Sequence, residues 1–146
     1  MASSLLIVHS VFRWLVLAFG LYAVAKMAAG QSRNAPFTPA DRIAQRLFIS
    51  ALDLQFLFGL VLFGISPVTR GAMKDIHAAM RDSNARFFVT EHWVFMVVAL
   101  VVAHLAMMRS KSAKTDHDKF KLAGLGFALA LGLILAGIPW FRLTGK

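Results

Sequence analysis

Four apolar runs, at residues 5–25, 47–67, 87–108 and 122–141, dominate this chain and leave it few folds to choose from. Each is about 20 residues long, the length at which an α-helix crosses a hydrocarbon layer of about 30 Å. None carries the recurring polar stripe that lets a helix face water on one side. The expectation is an all-α, integral membrane four-helix up-down bundle, with residues 1–146 forming one domain. The hydrophobic fraction of 58% and mean hydropathy of +0.66 follow from the four runs and leave no polar remainder large enough for a second domain.

The net charge of +9 raises the question of nucleic acid. The positions of the charges answer it. Lys and Arg collect at helix ends, where they fix orientation and meet anionic lipid. No basic and aromatic platform interrupts the apolar runs, so the expected surroundings are a lipid bilayer and no nucleic acid. Absence of cysteine excludes disulfides, Cys-ligated zinc, iron–sulfur clusters and c-type haem attachment. The start, MASSLLIVHSVFRW, lacks a charged n-region and carries Arg13 within its apolar stretch, so it reads as a retained helix and not a cleaved signal.

Connections are short and polar. Thr38-Pro39-Ala40-Asp41 has the form of a helix start, with Thr38 as N-cap, Pro39 in the first turn and Asp41 at the positive end of the dipole. GAMKDIHAAMRD, in the longest connection, has the composition of a short interfacial helix. Lys26, Arg33, Arg42, Arg46, Arg109, Lys111, Lys114, Lys119 and Lys121 fall on one side of a four-span topology. Arg70, Lys74, Arg81, Arg86, Arg142 and Lys146 fall on the other. The excess on the first side predicts that side inside and both termini outside. Gly124, Ala128, Gly132 and Ala136 recur every four residues in the last run, a spacing that lets another backbone approach, either within the bundle or in an oligomer.

Ionisable residues inside apolar runs are costly and usually have a task. His9 lies about five residues into the first run and His92 about six into the third, counted from the same side. At about 1.5 Å per residue both sit roughly 6–10 Å below one surface. First and third helices of an up-down bundle are diagonal, with room between them. Two neutral imidazoles at matching depth on opposed helices are what a bis-histidine b-type haem needs. Arg13 shares the His9 face one turn deeper, and its charge calls for a partner: Glu91, or a haem propionate. Met96, four residues after His92, is expected to pack. His104 cannot address the same neighbour as His92 from about 18 Å further along the helix. It matches Asp53 in depth, and these two are expected to form a hydrogen bond or ion pair. Gln55, on another face of the same helix as Asp53, is expected to bond between helices.

The stretches LLIVHSVFRWLVL, PFTPADR, LDLQFLFGLVLFGISP, RFFVTEHWVFMVVALVVAH and GIPW resemble a loosely defined group of small four-helix bacterial membrane proteins labelled cytochrome b-like. The resemblance implies haem binding through His9 of HS-x-x-RW and His92 of the EH pair, in a bacterial cytoplasmic membrane. It weakens at Asp53, where that group's pattern often has histidine, and this argues against a second haem. The resulting expectation is an electron-transfer protein holding one haem b by His9 and His92, with Arg13 nearby, no catalytic activity of its own, and quinone or other membrane subunits as partners. The alternatives are a non-catalytic subunit of a larger membrane complex, binding lipid or pigment, and a proton-coupled transporter using Asp53 and His104.

Overall fold

A computed structural model describes residues 2–141; Arg142 and Lys146, counted in the charge comparison, lie outside the described residues. The chain forms α1 (Ala2–Ser32), α2 (Pro39–Ile65), α3 (Pro67–Lys74), α4 (Ile76–Arg81), α5 (Ser83–Arg86), a π-helical turn (Phe87–Glu91), α6 (His92–Ser112) and α7 (Asp116–Ala136). α5, the π turn and α6 are continuous, so four long helices remain, each apolar enough to cross a membrane. Among the described residues there is no strand. The all-α bundle expected from the runs is the observed one.

Helix ends follow local chemistry and depart from the apolar boundaries. α2 starts where TPAD predicts: the Thr38 N–H and hydroxyl both donate to Asp41 Oδ2, at 2.7 Å each. α1 continues past the lipid-length run and through Gly30 to Ser32. α7 begins at Asp116, not 122, since Thr115 accepts from the Asp118 N–H at 3.1 Å and caps the helix. It ends at Ala136, not 141, before Gly137 and Pro139. The connection between α2 and the third span folds as two short helices, α3 and α4, and these and α5, which opens the third span, are each begun by a Ser or Asp side chain that accepts from the backbone.

α7 lies along both α6 and α1, and α1 along α2, while α2 and α6 touch only sparingly. The order around the bundle is therefore α2, α1, α7, α6, and α1 stands diagonal to α6. One seam, between α2 and α6, is open. Lipid supplies little hydrophobic drive between helices, so packing rests on van der Waals contact through small residues. Ala99, Ala103 and Ala106 on α6 are buried against α7, where a Cβ on Gly126 would collide with Ala106. Across the core, Phe48 and Phe127 meet edge to face with centroids 5.2 Å apart. Outside, large apolar side chains such as Ile7, Leu21 and Leu125 are more than 60% exposed, a coat that suits lipid and not water.

The end bearing residues 33–38 and 113–115, here the lower end, is tied by polar contacts. Lys26 pairs with Asp41 at 3.2 Å. The Phe37 N–H donates to Asp116 at 3.0 Å. Buried Gln45 donates to Ser110 at 3.0 Å, and Ser110 donates to the Lys119 carbonyl at 2.8 Å. The small-residue series of the last run is divided. Gly124 packs on Met27 of α1, whereas a Cβ on Gly132 would meet open space and Ala128 and Ala136 are exposed.

Candidate functional site

At the upper end, helices of fixed rise bring equal depths together. The His9 and His92 rings face each other across the α1–α6 diagonal, with centroids 6.4 Å apart and planes at 75°. The surroundings fix both tautomers. His92 Nδ1 lies 2.7 Å from the Gly137 carbonyl oxygen, which can only accept. Nδ1 therefore carries the proton and Nε2 a free lone pair. Gln55 donates its amide to the His9 carbonyl at 2.9 Å, and the same nitrogen is 3.4 Å from His9 Nε2. An amide nitrogen can only donate, so His9 Nε2 is the acceptor and Nδ1 carries the proton. His92 thus keeps Nε2 as a free ligating nitrogen, and the Gly137 carbonyl gives it the second contact that orients a metal-bound histidine; the His9 Nε2 lone pair is taken by the Gln55 amide and would have to be released before it could bind a metal.

Two cavities flank the pair. One, of about 300 Å³, is walled by α1, α2 and α6 and reaches up to Ser66 and Thr69 at the surface. The other, of about 180 Å³, lies toward α7 and spans from Phe88 and Pro139 to Arg13 and Val16. His9, His92, Gln55 and Met96 line both, so the imidazoles border a space on the α2 side and another on the α7 side. Phe87 and Phe88 cover His92, with centroids 6.0 and 6.1 Å from its ring.

The spacing of the two rings, though not the present aim of His9 Nε2 at Gln55, matches a pair of imidazoles on one metal. Two imidazoles on one metal, bonded at about 2.0–2.1 Å and with each ring nitrogen about 1.1 Å from its own centroid, have centroids roughly 6.3 Å apart. The observed spacing is 6.4 Å. Three buried polar atoms at this place have no hydrogen-bond partner: His9 Nδ1, Arg13 Nε and Gln55 Oε1. Buried polar atoms are rarely left so without a missing water or ligand. Among the described residues no group of three or more His, Cys, Asp or Glu could hold a bare metal ion. Two imidazoles with space on either side instead suit a metal that brings its own equatorial donors.

The expected Arg13–Glu91 pair is not formed. Glu91 instead accepts from Arg86 Nε at 2.8 Å. Arg13 lines the smaller cavity with both histidines, and its guanidinium carbon lies 5.2 Å from the centroid of the Trp14 ring. Met96 packs beside Gly137, as a side chain at helical spacing from His92 should. Asp53 and His104 do meet, Oδ1 to Nε2 at 3.3 Å, but far below the His9–His92 pair and on the open seam. His77 and His117 are exposed.

Sequence reasoning missed several parts of this site. Gly59 lies where a Cβ would come within 3.2 Å of His9 Cε1, so it admits that ring to the side of α2. Counting residues down from Ser66 would have placed it at the depth of His9. The Gly137 carbonyl is freed for His92 because α7 ends there, a role only the helix end reveals. Trp93, stacked between Phe56 at 5.4 Å and Phe63 at 5.3 Å, walls the larger cavity on the α2–α6 seam. Comparison with protein-family models, with curated proteins and with solved structures returns no match for the chain.

Proposed function

We propose that the protein is a bacterial cytoplasmic-membrane electron carrier that holds one b-type haem between His9 and His92. The observation that carries this reading is the pair of imidazoles with centroids 6.4 Å apart and a space on either side of them. The haem supplies reversible one-electron exchange. The residues do the rest. Gly137 holds the His92 tautomer, Gln55 would give up His9 Nε2 to the iron while keeping its bond to the His9 carbonyl, Gly59 gives His9 its place, and Phe87 and Phe88 shield His92. Arg13 places a positive charge beside the smaller cavity, the position from which a cation favours an electron-rich or carboxylate-bearing group. With Glu91 engaged by Arg86, a haem carboxylate is the partner left for Arg13 among the two expected. The resemblance to cytochrome b-like proteins points the same way, as does an outer placement of the termini under the positive-inside rule.

The test is a reduced-minus-oxidised spectrum of protein purified in mild detergent after expression with added haem precursor. A b-type α-band is expected, lost in both His9→Ala and His92→Ala and kept in Met96→Leu. A folded wild-type protein that stays colourless overturns the reading. A second reading, a non-catalytic subunit of a larger membrane complex, is favoured by the exposed small residues Ala128, Gly132 and Ala136 on α7. Stoichiometric copurification of a colourless chain with such a complex would support it.

A further inference from the structure

His9 and His92 are held by different means, and the difference lies in which ring nitrogen each one spends. His92 gives its Nδ1 proton to the Gly137 carbonyl at 2.7 Å and keeps Nε2 free. His9 is seated against α2 by two residues one turn apart, Gln55 and Gly59. Gly59 leaves room for the Cε1 edge of the ring. The Gln55 amide nitrogen donates one hydrogen to the His9 carbonyl at 2.9 Å and turns the other toward His9 Nε2 at 3.4 Å. The ligating nitrogen of His9 is thus occupied, and that of His92 is not.

A glutamine serving only to join two helices would spend both ends of its amide in bonds. Gln55 does not. It is 8% exposed and lines both cavities, and its Oε1 is buried without a hydrogen-bond partner. Buried acceptors are rarely left so. The amide therefore has one firm anchor, the 2.9 Å bond to the His9 carbonyl. Its other contact, at 3.4 Å, is near the limit at which a hydrogen bond holds. Gln55 can turn about the first and release the second. At His92 no bond has to be exchanged, and the Gly137 contact is of the kind that strengthens a metal-bound histidine.

We propose that Gln55 ranks the two histidines: it keeps His9 Nε2 occupied, making His92 the resident ligand of the site and His9 the exchangeable one. When His9 leaves a metal, Gln55 is in place to take Nε2 back without giving up its backbone anchor. A small neutral molecule such as carbon monoxide can then stand where His9 stood, in the space that the cavities leave beside both rings. Exchange at a metal rests on the haem reading; the hold of Gln55 on His9 does not.

Diethyl pyrocarbonate acylates the unprotonated nitrogen of an imidazole, so it reads each lone pair in the haem-free, full-length protein in mild detergent. Mass spectrometry maps the modified residues. His9 is expected to react more slowly than His92. Gln55→Leu should raise the His9 rate relative to His92 by about threefold, the low end of what one net hydrogen bond is worth. A change in cavity shape would alter both rates, since both rings line both cavities; loss of the Gln55 hold alters one. The comparison within the unaltered chain needs no variant. His9 as reactive there as His92, or a ratio that Gln55→Leu leaves unchanged, overturns the proposal. In haem-loaded, reduced protein, carbon monoxide should bind about threefold more weakly to Gln55→Leu than to the unaltered chain, because the freed His9 competes better. Equal or tighter binding overturns the proposal as well. A chain that takes up no haem ends the electron-carrier reading alone, because acylation still decides what Gln55 does to His9.

Discussion

The two ends of this bundle are built from the same apolar alphabet and finished in opposite ways. In the lower half, buried residues run from Val16 to Met27 on α1 and from Ala99 to Ser110 on α6, with Phe48, Phe120 and Phe127 between them. Its buried Gln45 and Ser110 bond to one another and onward to a carbonyl. In the upper half, α1 before Val16 and the third span before Ala99 bury nothing fully. Two cavities and three unpartnered polar atoms lie where those two helices would otherwise pack, and burial there is left to Leu52 on α2 and to Ile134 and Ile138 at the end of α7. The lower half holds the helices together; the upper half, relieved of that duty, keeps a space with two imidazoles in it. Stability and binding are thus divided along the helix axis, a separation that loosely packed sites generally need.

Three measurements break or sharpen this contrast. The largest effect belongs to the lower core. Phe127→Ala removes a wholly buried ring facing Phe48 and should cost roughly 3–5 kcal/mol, whereas Phe63→Ala, on a cavity wall, should cost about 1 kcal/mol or less. Unfolding in mixed detergent measures both, and equal costs would erase the distinction between the halves. Next comes Gly59→Ala. An alanine within α2 adds about 0.5–1 kcal/mol of helix propensity, while its methyl presses on the His9 ring. Melting temperature should hold or rise as haem absorbance per protein falls; a simultaneous drop in both would mean that the upper end is structural after all. The smallest effect is Glu91→Gln. The Arg86–Glu91 pair is more than 40% exposed on both sides, so its loss should change stability by about 0.5 kcal/mol or less. A large loss, together with a shifted haem spectrum, would mean that Glu91 serves Arg13 in the membrane.

What could be read in the sequence was whatever depends on length and period. Four runs gave four helices because hydrocarbon thickness and helical rise are fixed. The same rise brought His9 to His92 and Asp53 to His104 from residue counts alone. Gln55 makes the interhelical bond its position called for. Glu91, one of two partners left open for Arg13, binds Arg86 instead, a choice between two arginines that no apolar pattern encodes. The α7 start was legible in Thr115 and Asp118 but masked by attention to where apolar residues begin. The cavities could not be read at all. They are gaps between well-formed helices, set by how far α2 and α6 diverge, and a sequence has no symbol for distance left unfilled.

The π turn at Phe87–Glu91 closes with the His92 N–H bonding to the Phe87 carbonyl, five residues back. That widened loop of backbone spends one residue more than an α turn would, and the surplus sets the angle at which the upper helices meet α6. Delete a single residue between 87 and 91 and the ladder can close in ordinary α register. A deletion at 89–91 would then turn Phe87 and Phe88 by about 100° against the imidazole and off its ring, while α3 stays tied to α2 through the Thr69 hydroxyl on the Phe63 carbonyl. Cover over His92 is therefore a matter of counting: one amino acid too few, and the chamber keeps its walls but loses its roof.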